Sequence, residues 1–327
     1  MKKLIVLLLI LSLGISVVAC KSDVQEKEEI TLEEIVLKIG IPTAPPAMPI
    51  LRMIETNALG DNITIQPEIW SDPETLIAMV QDETFDFFAY PLTLVSTLYN
   101  KGMDVRLMNV NTWGVNYFVT SDPEFKTWAD LKGETIYIPL QASPPDALTQ
   151  YFLDEAGLVV GEDVTLTYAS PAEVAALVSS GEAEYATMFE PQVTMALMNN
   201  PDLRIALDIE AEWKRVNGTE NIVPNAGFGT TQRVIDEYPD LIGQFNEAYE
   251  EALTWCNENP EEVGKLAEKY LGLPAGVITK AMPTMGLKYK TAIDADAELD
   301  AFYEMLYEFE PKMIGGKLPD NGMYYVD

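Results

Sequence analysis

Segments of strand character and segments of helix character alternate strictly between residues 36 and 110. In each pair a short apolar run comes first, and a segment with apolar residues at helical spacing follows it. This alternation is typical of an α/β fold in which helices join the parallel strands of a sheet. The predicted strands and helices are, in turn, 36–41, 48–57, 63–69, 73–81, 85–89, 91–100 and 105–110. The first third of the chain is therefore predicted to form a parallel α/β sheet.

The segments 72–91 and 170–191 have the same design. Asp72 and Ser170 are favourable helix N-caps, and in both segments a proline and an apolar helical run follow. An acidic residue, a buried strand and another proline-led helix then come in the same order. The repetition of this unit in both halves of the chain indicates two α/β lobes of similar design.

The stretch 128–156 combines a predicted strand with a well-marked helix start. Residues 135–138 form the strand, and a short loop leads to Ser143, a favourable N-cap. Pro144 suits the first helical turn, and Asp146 stands where the acid of a capping box stands. Such a helix start presents free N–H groups at the sheet edge where open α/β sheets bind small ligands. An ordinary strand-to-helix connection is the alternative interpretation.

Two strands, 115–120 and 222–230, are predicted where the chain passes between the lobes. Gly114, Gly227 and Gly229 flank or lie in them, which suits backbone that bends at a hinge. The predicted domains are lobe one at 35–114 and 225–327, and lobe two at 115–224.

The chain after residue 231 has a wholly helical pattern. Apolar residues recur there at helical spacing, and we expect the helices to cover lobe one. The predicted helices are 232–238, 240–259, 260–271, 275–282 and 294–310.

Residues 1–19 are predicted to be a lipoprotein signal peptide. Lys2 and Lys3 precede an apolar run, 4–18, that is too short for a comfortable membrane span. The run ends Val-Val-Ala before Cys20, as in a bacterial lipobox, so Cys20 is expected to carry a lipid anchor. A signal peptide that happens to contain a cysteine is the alternative. Residues 20–34 would form a polar tether, and the predicted location is the extracytoplasmic face of the cell membrane.

The net charge of −31 and the absence of histidine exclude several classes of function. A nucleic-acid-binding protein needs a basic surface, so 52 acidic against 21 basic residues argue against that partner. A chain without histidine lacks the commonest metal ligand and the commonest general base. We therefore expect no cofactor, no metal and no catalytic residue, in a monomer that is not an enzyme. Cys256 is predicted to be a buried small hydrophobic side chain.

Short motifs along the chain resemble one family as a set. They are KIGI at 38–41, AP at 44–45, WADLKG at 128–133, IYIP at 136–139, AGL at 156–158, DVT at 163–165, PAE at 171–173 and EP at 190–191. The chain resembles the substrate-binding lipoproteins of ABC importers in the nitrate/sulfonate/taurine and thiamine-pyrimidine-precursor group. The resemblance implies a two-lobed periplasmic-binding-protein fold of type II, a ligand site in the cleft, and a permease and an ATPase as partners. One departure is the loop QASPP at 141–145, which is not a plain Gly-Ser loop.

The predicted ligand-binding residues stand at strand ends, at the helix start after residue 140 and near the crossings. Tyr90 and Trp113 are expected to stack on a flat ligand, although packing in the core or between the lobes is the alternative for both. Glu190 ends an apolar strand and is expected to accept from a ligand N–H, or else to cap the helix that Pro191 begins. The full set is Thr43, Ala44, Tyr90, Thr112, Trp113, Gln141, Ala142, Ser143, Glu190, Asn225 and Phe228.

The predicted function is an extracytoplasmic receptor that closes over a small solute. The aromatic side chains and Glu190 favour a flat nitrogen-containing or aromatic compound, and a sulfonate-type anion is the second candidate. A lipoprotein that reports ligand occupancy to a signalling partner is an alternative that the sequence does not separate from transport. The enzyme of pyrimidine synthesis in the same group uses a histidine as a source of substrate atoms, and this chain has none.

Overall fold

The strands of the chain form two β-sheets in the computed structural model, which describes residues 34–326. The predicted signal peptide, Cys20 and all of the predicted tether except Glu34 lie outside the described residues. The strands of the described chain are β1 (Ile35–Ile41), β2 (Ile63–Ile69), β3 (Phe87–Pro91), β4 (Arg106–Leu107), β5 (Asn109–Trp113), β6 (Asn116–Thr120), β7 (Thr135–Pro139), β8 (Thr165–Ala169), β9 (Tyr185–Phe189), β10 (Arg204–Asp208), β11 (Pro224–Thr230) and β12 (Leu287–Thr291).

Sheet one and sheet two take their strands from different parts of the chain. Sheet one has the order β12-β5-β11-β3-β1-β2, with β4 paired to β11. Sheet two has the order β10-β6-β9-β7-β8. The chain therefore builds most of sheet one, then all of sheet two, and returns to complete sheet one.

Helices connect these strands, and the sequence marks the start of several of them with a capping residue. Asp72 caps the second helix by accepting a hydrogen bond from the Thr75 N–H at 2.8 Å. Ser170 caps the fifth in the same way, from the Glu173 N–H at 3.3 Å. Both of the similar sequence segments thus form a capped helix followed by a buried strand. The helices of the described chain are α1 (Ala47–Thr56), α2 (Pro73–Gln81), α3 (Leu92–Asn100), α4 (Pro144–Glu155), α5 (Pro171–Ser180), α6 (Gln192–Asn199), α7 (Ile209–Asn217), α8 (Gln232–Glu237), α9 (Pro239–Glu258), α10 (Pro260–Leu271), α11 (Ala275–Ala281) and α12 (Asp296–Phe309).

The parallel pairing predicted for the first third of the chain is confirmed for β1, β2 and β3, but both complete sheets are mixed. In sheet one β1 is parallel to β2 and β3, whereas β11 runs antiparallel to β3 and β5. In sheet two β7 is parallel to β8 and β9, whereas β6 is antiparallel to β9 and β10. A buried strand has the same apolar pattern in either direction, so the sequence pattern does not reveal the direction.

The prediction of a wholly helical chain after residue 231 is wrong. Leu287–Thr291 forms β12, which pairs antiparallel with β5 at the edge of sheet one. Five residues give too short a pattern to separate a strand from a helical segment, and here the pairing with β5 decides. The predicted strand 105–110 is instead divided into β4 and the start of β5.

The C-terminal helices pack on lobe one as predicted. Leu37, Ile39 and Ile41 of β1 are fully buried, in the same apolar cluster as side chains of α1, α9 and α10. The rings of Phe87 on β3 and Phe245 on α9 stack with their centroids 4.3 Å apart. Cys256 is buried in this cluster, as predicted, and burial raises the pKa of its thiol to about 12.

Helix α12 contacts both lobes. Its Phe302 lies edge-on to Trp213 of α7, with centroids 6.3 Å apart. Its Phe309 meets Tyr151 of α4 in a similar geometry at 5.8 Å. The last long helix therefore connects the helices of the two lobes in addition to covering lobe one.

The chain passes between the sheets twice, through short links that bond to each other. It leaves sheet one at Gly114 and returns through residues 218–223. The Gly114 N–H donates to the Val223 carbonyl at 3.0 Å, and the Val223 N–H donates to the Glu210 carboxylate at 2.9 Å. Gly114 has φ +57°, and a Cβ there would lie 3.1 Å from Glu210 Oε2, so this bend requires glycine. The predicted crossing strands lie just after these links, as β6 and β11.

Candidate functional site

A cavity of about 140 Å³ lies between the two sheets. Its walls come from the loop after β1, the ends of β2, β3 and β9, and the starts of α4 and α5. Residues next to both crossings, Asn116 and Asn225 among them, complete it. Since a single water molecule needs on the order of 10–15 Å³ by the same measure, the cavity has room for a small organic molecule.

The walls of the cavity are rigid and largely apolar. Trp70, Tyr90 and Phe189 supply aromatic surface. The prolines that line the cavity are Pro42, Pro45, Pro46, Pro91, Pro144, Pro145 and Pro171. An apolar pocket with a few polar groups is the usual form of a small-molecule site.

Several buried polar atoms on lining residues have no hydrogen-bond partner within the described chain. They are the Trp70 indole nitrogen, the Tyr90 hydroxyl, both amide atoms of Asn116 and the amide oxygen of Asn225. All four residues are at most 5% exposed. Buried polar groups are nearly always paired, so five unpaired atoms around one cavity indicate a ligand that pairs them.

The cavity has no charged wall: none of the lining residues, all within 34–326, carries a formal charge. The start of α4 also offers few donors. Pro144 and Pro145 have no N–H, and the Ser143 N–H donates to the Leu140 carbonyl at 3.1 Å.

Asp146 places a buried carboxylate in the first turn of α4. It accepts hydrogen bonds from the Ala142 N–H at 2.7 Å, the Gln150 amide at 2.7 Å and the Tyr168 hydroxyl at 3.0 Å. Burial raises the pKa of Asp146, and these hydrogen bonds act in the opposite direction. The predicted capping box is therefore wrong in detail: the Ser143 side chain caps nothing and lies 3.3 Å from the Pro139 carbonyl, to which it donates.

Six of the predicted ligand-binding residues line the cavity. Burial raises the pKa of Tyr90 well above its ordinary value, so its hydroxyl keeps its proton at neutral pH. The Thr112 hydroxyl is within 2.9 Å of the Asn111 amide oxygen, to which it donates. The six are Thr43, Ala44, Tyr90, Thr112, Ser143 and Asn225.

Four other predicted residues lie outside the cavity. Gln141 and Ala142 are exposed, and the Ala142 carbonyl accepts from the Thr93 hydroxyl at 2.7 Å. The Trp113 indole N–H donates to the Lys288 carbonyl at 2.7 Å. The ring lines a separate pocket, beside Gly114 and Lys288. Phe228 packs against Phe245 and Tyr249 in the core of lobe one.

Glu190 also lies outside the cavity and joins the lobes. Its carboxylate, 2% exposed, accepts from the Thr194 N–H at 3.0 Å and the Thr194 hydroxyl at 2.9 Å. It also accepts from the Thr284 hydroxyl at 2.9 Å, and Thr284 belongs to lobe one. Burial raises the pKa of Glu190 against these hydrogen bonds. Of the two sequence interpretations, the structure matches the cap on α6, with a contact across the lobes in addition.

Sequence reasoning missed several lining residues, of which Trp70 and Asn116 matter most. Trp70 directly follows β2, so the rule that ligands bind at strand ends could have found it. Asn116 begins β6 inside the segment predicted as a crossing strand. Its polarity within an apolar strand was the available signal.

The comparison with sequence families gives a match over more than half of the chain. The sequence model of the NMT1-like family matches residues 88–270. The chain belongs to the NMT1-like family. The matched region runs from β3 through all of sheet two to α10 and includes Asn116 and Asn225.

Solved structures with the same fold support the predicted architecture of this NMT1-like protein. An ABC transporter structure from Parabacteroides distasonis is 22% identical with a TM-score of 0.75, over 90% of this chain and 99% of that one. The alkanesulfonate-binding protein from Xanthomonas axonopodis pv. citri, bound to MOPS, is 18% identical with a TM-score of 0.66, over 84% and 94%. The two-lobed type II fold is thereby confirmed.

Curated relatives match a shorter part of the chain. A binding protein from Brucella abortus is 24% identical over 166 residues, 51% of this chain and 50% of its own length. This NMT1-like chain thus spans about half the length of the curated relatives it matches. Residues 34–326 contain no helix with the length and apolarity needed to cross a bilayer. Within the same range, no three His, Cys, Asp or Glu side chains cluster as metal ligands would.

Proposed function

We propose that this protein is the solute-binding component of an ABC importer and delivers a small organic molecule to a permease. Three observations support the proposal: the NMT1-like family, a fold shared with binding proteins of ABC transporters, and an apolar cavity between the lobes. Of these, the cavity carries the proposal. Its walls belong to both sheets, so a hinge motion at the two crossings would open it to solvent and close it over a ligand.

The proposed ligand is a flat nitrogen-containing or aromatic compound. Trp70, Tyr90 and Phe189 offer ring surface for stacking, and the unpaired side chains of Asn116 and Asn225 offer hydrogen bonds. A sulfonate-type anion, which the Xanthomonas relative binds as MOPS, is the second candidate. We further propose that the protein is a monomer held on the extracytoplasmic face of the membrane by a lipid on Cys20.

Two other functions are weighed against transport. A sensing lipoprotein would use the same closure to present an altered surface to a signalling partner, and neighbouring genes for a permease and an ATPase would favour transport. An enzyme of the pyrimidine-forming type would need a histidine that the chain lacks. No ligand turnover is therefore expected.

Native mass spectrometry of the protein purified from its own host tests the proposal. We expect one small molecule bound per chain, released on denaturation and unchanged by prolonged incubation with the protein. Small-angle scattering should then show a smaller radius of gyration when that molecule is added back. A protein that carries no small molecule and keeps one scattering profile would refute the proposed function.

A further inference from the structure

We infer that the cavity selects an uncharged solute with both hydrogen-bond donors and acceptors, and that it rejects the anions that its structural relatives bind. The inference rests on the proposed function, since it names the chemical class of the ligand for the same site. Sulfonate and nitrate are named for the proteins from Xanthomonas axonopodis and Synechocystis, and both are anions. The residues around this cavity suit a different chemistry.

The cavity offers an anion no cation. No lysine or arginine is among the lining residues of the described chain, which are apolar and aromatic side chains, serines, threonines and asparagines. An anion that enters such a cavity loses its hydration and gains no opposite charge in return. Only hydrogen bonds are therefore left to compensate its removal from water.

The two helix starts next to the cavity offer few free N–H groups. Such groups at a helix N-terminus form a ready site for an anion. The start of α4 offers few of them because Pro144 and Pro145 occupy its first positions, and the Asp146 carboxylate already lies at the positive end of the helix dipole. At α5 Pro171 occupies the first position, and the Glu173 N–H is already taken by the Ser170 hydroxyl. Neither helix start therefore offers the full set of free N–H groups that an anion would use.

The unpaired atoms around the cavity include both donors and acceptors. The Trp70 N–H and the Asn116 amide nitrogen are donors, the amide oxygens of Asn116 and Asn225 are acceptors, and the Tyr90 hydroxyl is either. A nitrate or sulfonate group has acceptors only, so it would leave two amide oxygens buried and unpaired. A lactam, ureide or carboxamide edge carries N–H and C=O side by side and satisfies both kinds.

The positions of the two asparagines connect this recognition to the lobes. Asn116 is the first residue of β6 in lobe two, directly after the first crossing. Asn225 is the second residue of β11 in lobe one, directly after the second crossing. A ligand that bonds to both would hold strands of the two lobes together next to the hinge.

Binding of defined probes to the full chain tests the inference. The anionic probes are methanesulfonate, ethanesulfonate and nitrate, and the uncharged probes are uracil, thymine, hydantoin and nicotinamide. Each is added up to about 5 mM, which covers weak binding in the millimolar range. We expect at least one uncharged probe to raise the melting temperature and to bind saturably in calorimetry. We expect no saturable binding of any anion. Saturable binding of an anion, or failure of all four uncharged probes, would overturn the inference.

Variants show whether a bound probe uses the predicted atoms. Asn116→Leu removes a donor and an acceptor, keeps the branching and the number of side-chain heavy atoms, and should weaken binding of the uncharged probe at least about tenfold. Gln141→Leu, in an exposed position outside the cavity, is the matched control and should leave the affinity unchanged. An equal effect of both variants, or of neither, would contradict the assignment. If an anion binds and Asn116→Leu abolishes that binding, the proposed solute-binding function stands and only the uncharged class fails. If no probe binds and no small molecule co-purifies, both fail.

Discussion

At the scale of single residues, the hydrogen bonds of Glu190 favour one of its two sequence interpretations. Its place at the end of a buried strand predicted a ligand contact or a helix cap, and three hydrogen bonds from Thr194 and Thr284 occupy its oxygens. Buried polar atoms without a partner, in contrast, point to a ligand. Around the cavity, the residues with such atoms are Trp70, Tyr90, Asn116 and Asn225.

Glu190 should make the protein less stable as the pH rises from acid to neutral. Burial raises its pKa in the folded state above the ordinary value of 4.5. A carboxyl of this kind stabilises the fold most below its unfolded pKa, and that contribution is lost as the pH rises through the folded pKa. In Glu190→Gln this contribution is absent. Urea unfolding of both proteins from pH 4 to pH 8 should therefore show the wild type losing stability relative to the variant; a constant difference would contradict the prediction.

Substitution of Trp70 should affect ligand binding, whereas substitution of Trp113 should affect stability. Trp70→Phe keeps an aromatic wall but removes the unpaired N–H, so the Kd of the co-purified ligand should rise about three- to tenfold. Trp113→Phe removes a hydrogen bond to the Lys288 carbonyl outside the cavity and should lower the melting temperature with little change in Kd. Calorimetry and thermal unfolding of both variants measure this. The reverse pattern would place the site on the far side of the crossings.

At the scale of the elements, the sequence predicted features that depend on neighbouring residues. It did not predict features that depend on pairing with distant strands. The caps Asp72 and Ser170 were readable because a side chain and an N–H three residues away satisfy each other. The direction of β11 and the existence of β12 were not, because both depend on strands more than 100 residues away. The unpaired atoms of Asn116 were equally unreadable, since a lack of partners is a property of the folded chain.

The lobes should open when a hydrogen bond between the elements is lost. The Thr93 hydroxyl on α3 donates to the Ala142 carbonyl of lobe two. Thr93→Val leaves that carbonyl without its partner and destabilises the closed form by about 1 kcal/mol. An open–closed equilibrium would then shift about fivefold toward the open form. Thr97→Val, on the same helix, loses a bond to the Met313 carbonyl within lobe one and serves as the control. Small-angle scattering should show a larger radius of gyration for Thr93→Val only.

At the scale of the whole molecule, two lobes, a hinge and a chain that returns to lobe one follow from the order of the segments. What the order did not reveal is that α12, a helix of lobe one, contacts two helices of lobe two through Phe302 and Phe309. Its pattern at helical spacing predicts a helix but not which neighbours its apolar residues meet. The hinge motion proposed for this protein must therefore break or rearrange these aromatic contacts in addition to bending the two links.

The attachment of the protein to a membrane is predicted to depend on Cys20. Radiolabelled fatty acid should enter the wild type, because a lipid is expected on this thiol, and should not enter Cys20→Ala. The variant should appear in a soluble fraction. Cys256→Ala is the control, since the buried thiol has no access to the modifying enzyme. Label that persists in Cys20→Ala would contradict the lipidation.

The prolines around the cavity have a consequence for how this protein could change its ligand over evolutionary time. Proline fixes φ, so the loop at 42–46 and the first turn of α4 at 144–145 have little conformational freedom to lose when a ligand binds and little freedom to adapt to a new shape. Such walls would distinguish related molecules by shape, and binding of a molecule that fits would cost the protein little conformational entropy. A new ligand size would then require replacing or lengthening a proline-bearing loop, whereas a new pattern of polar groups would require only a change at the asparagines.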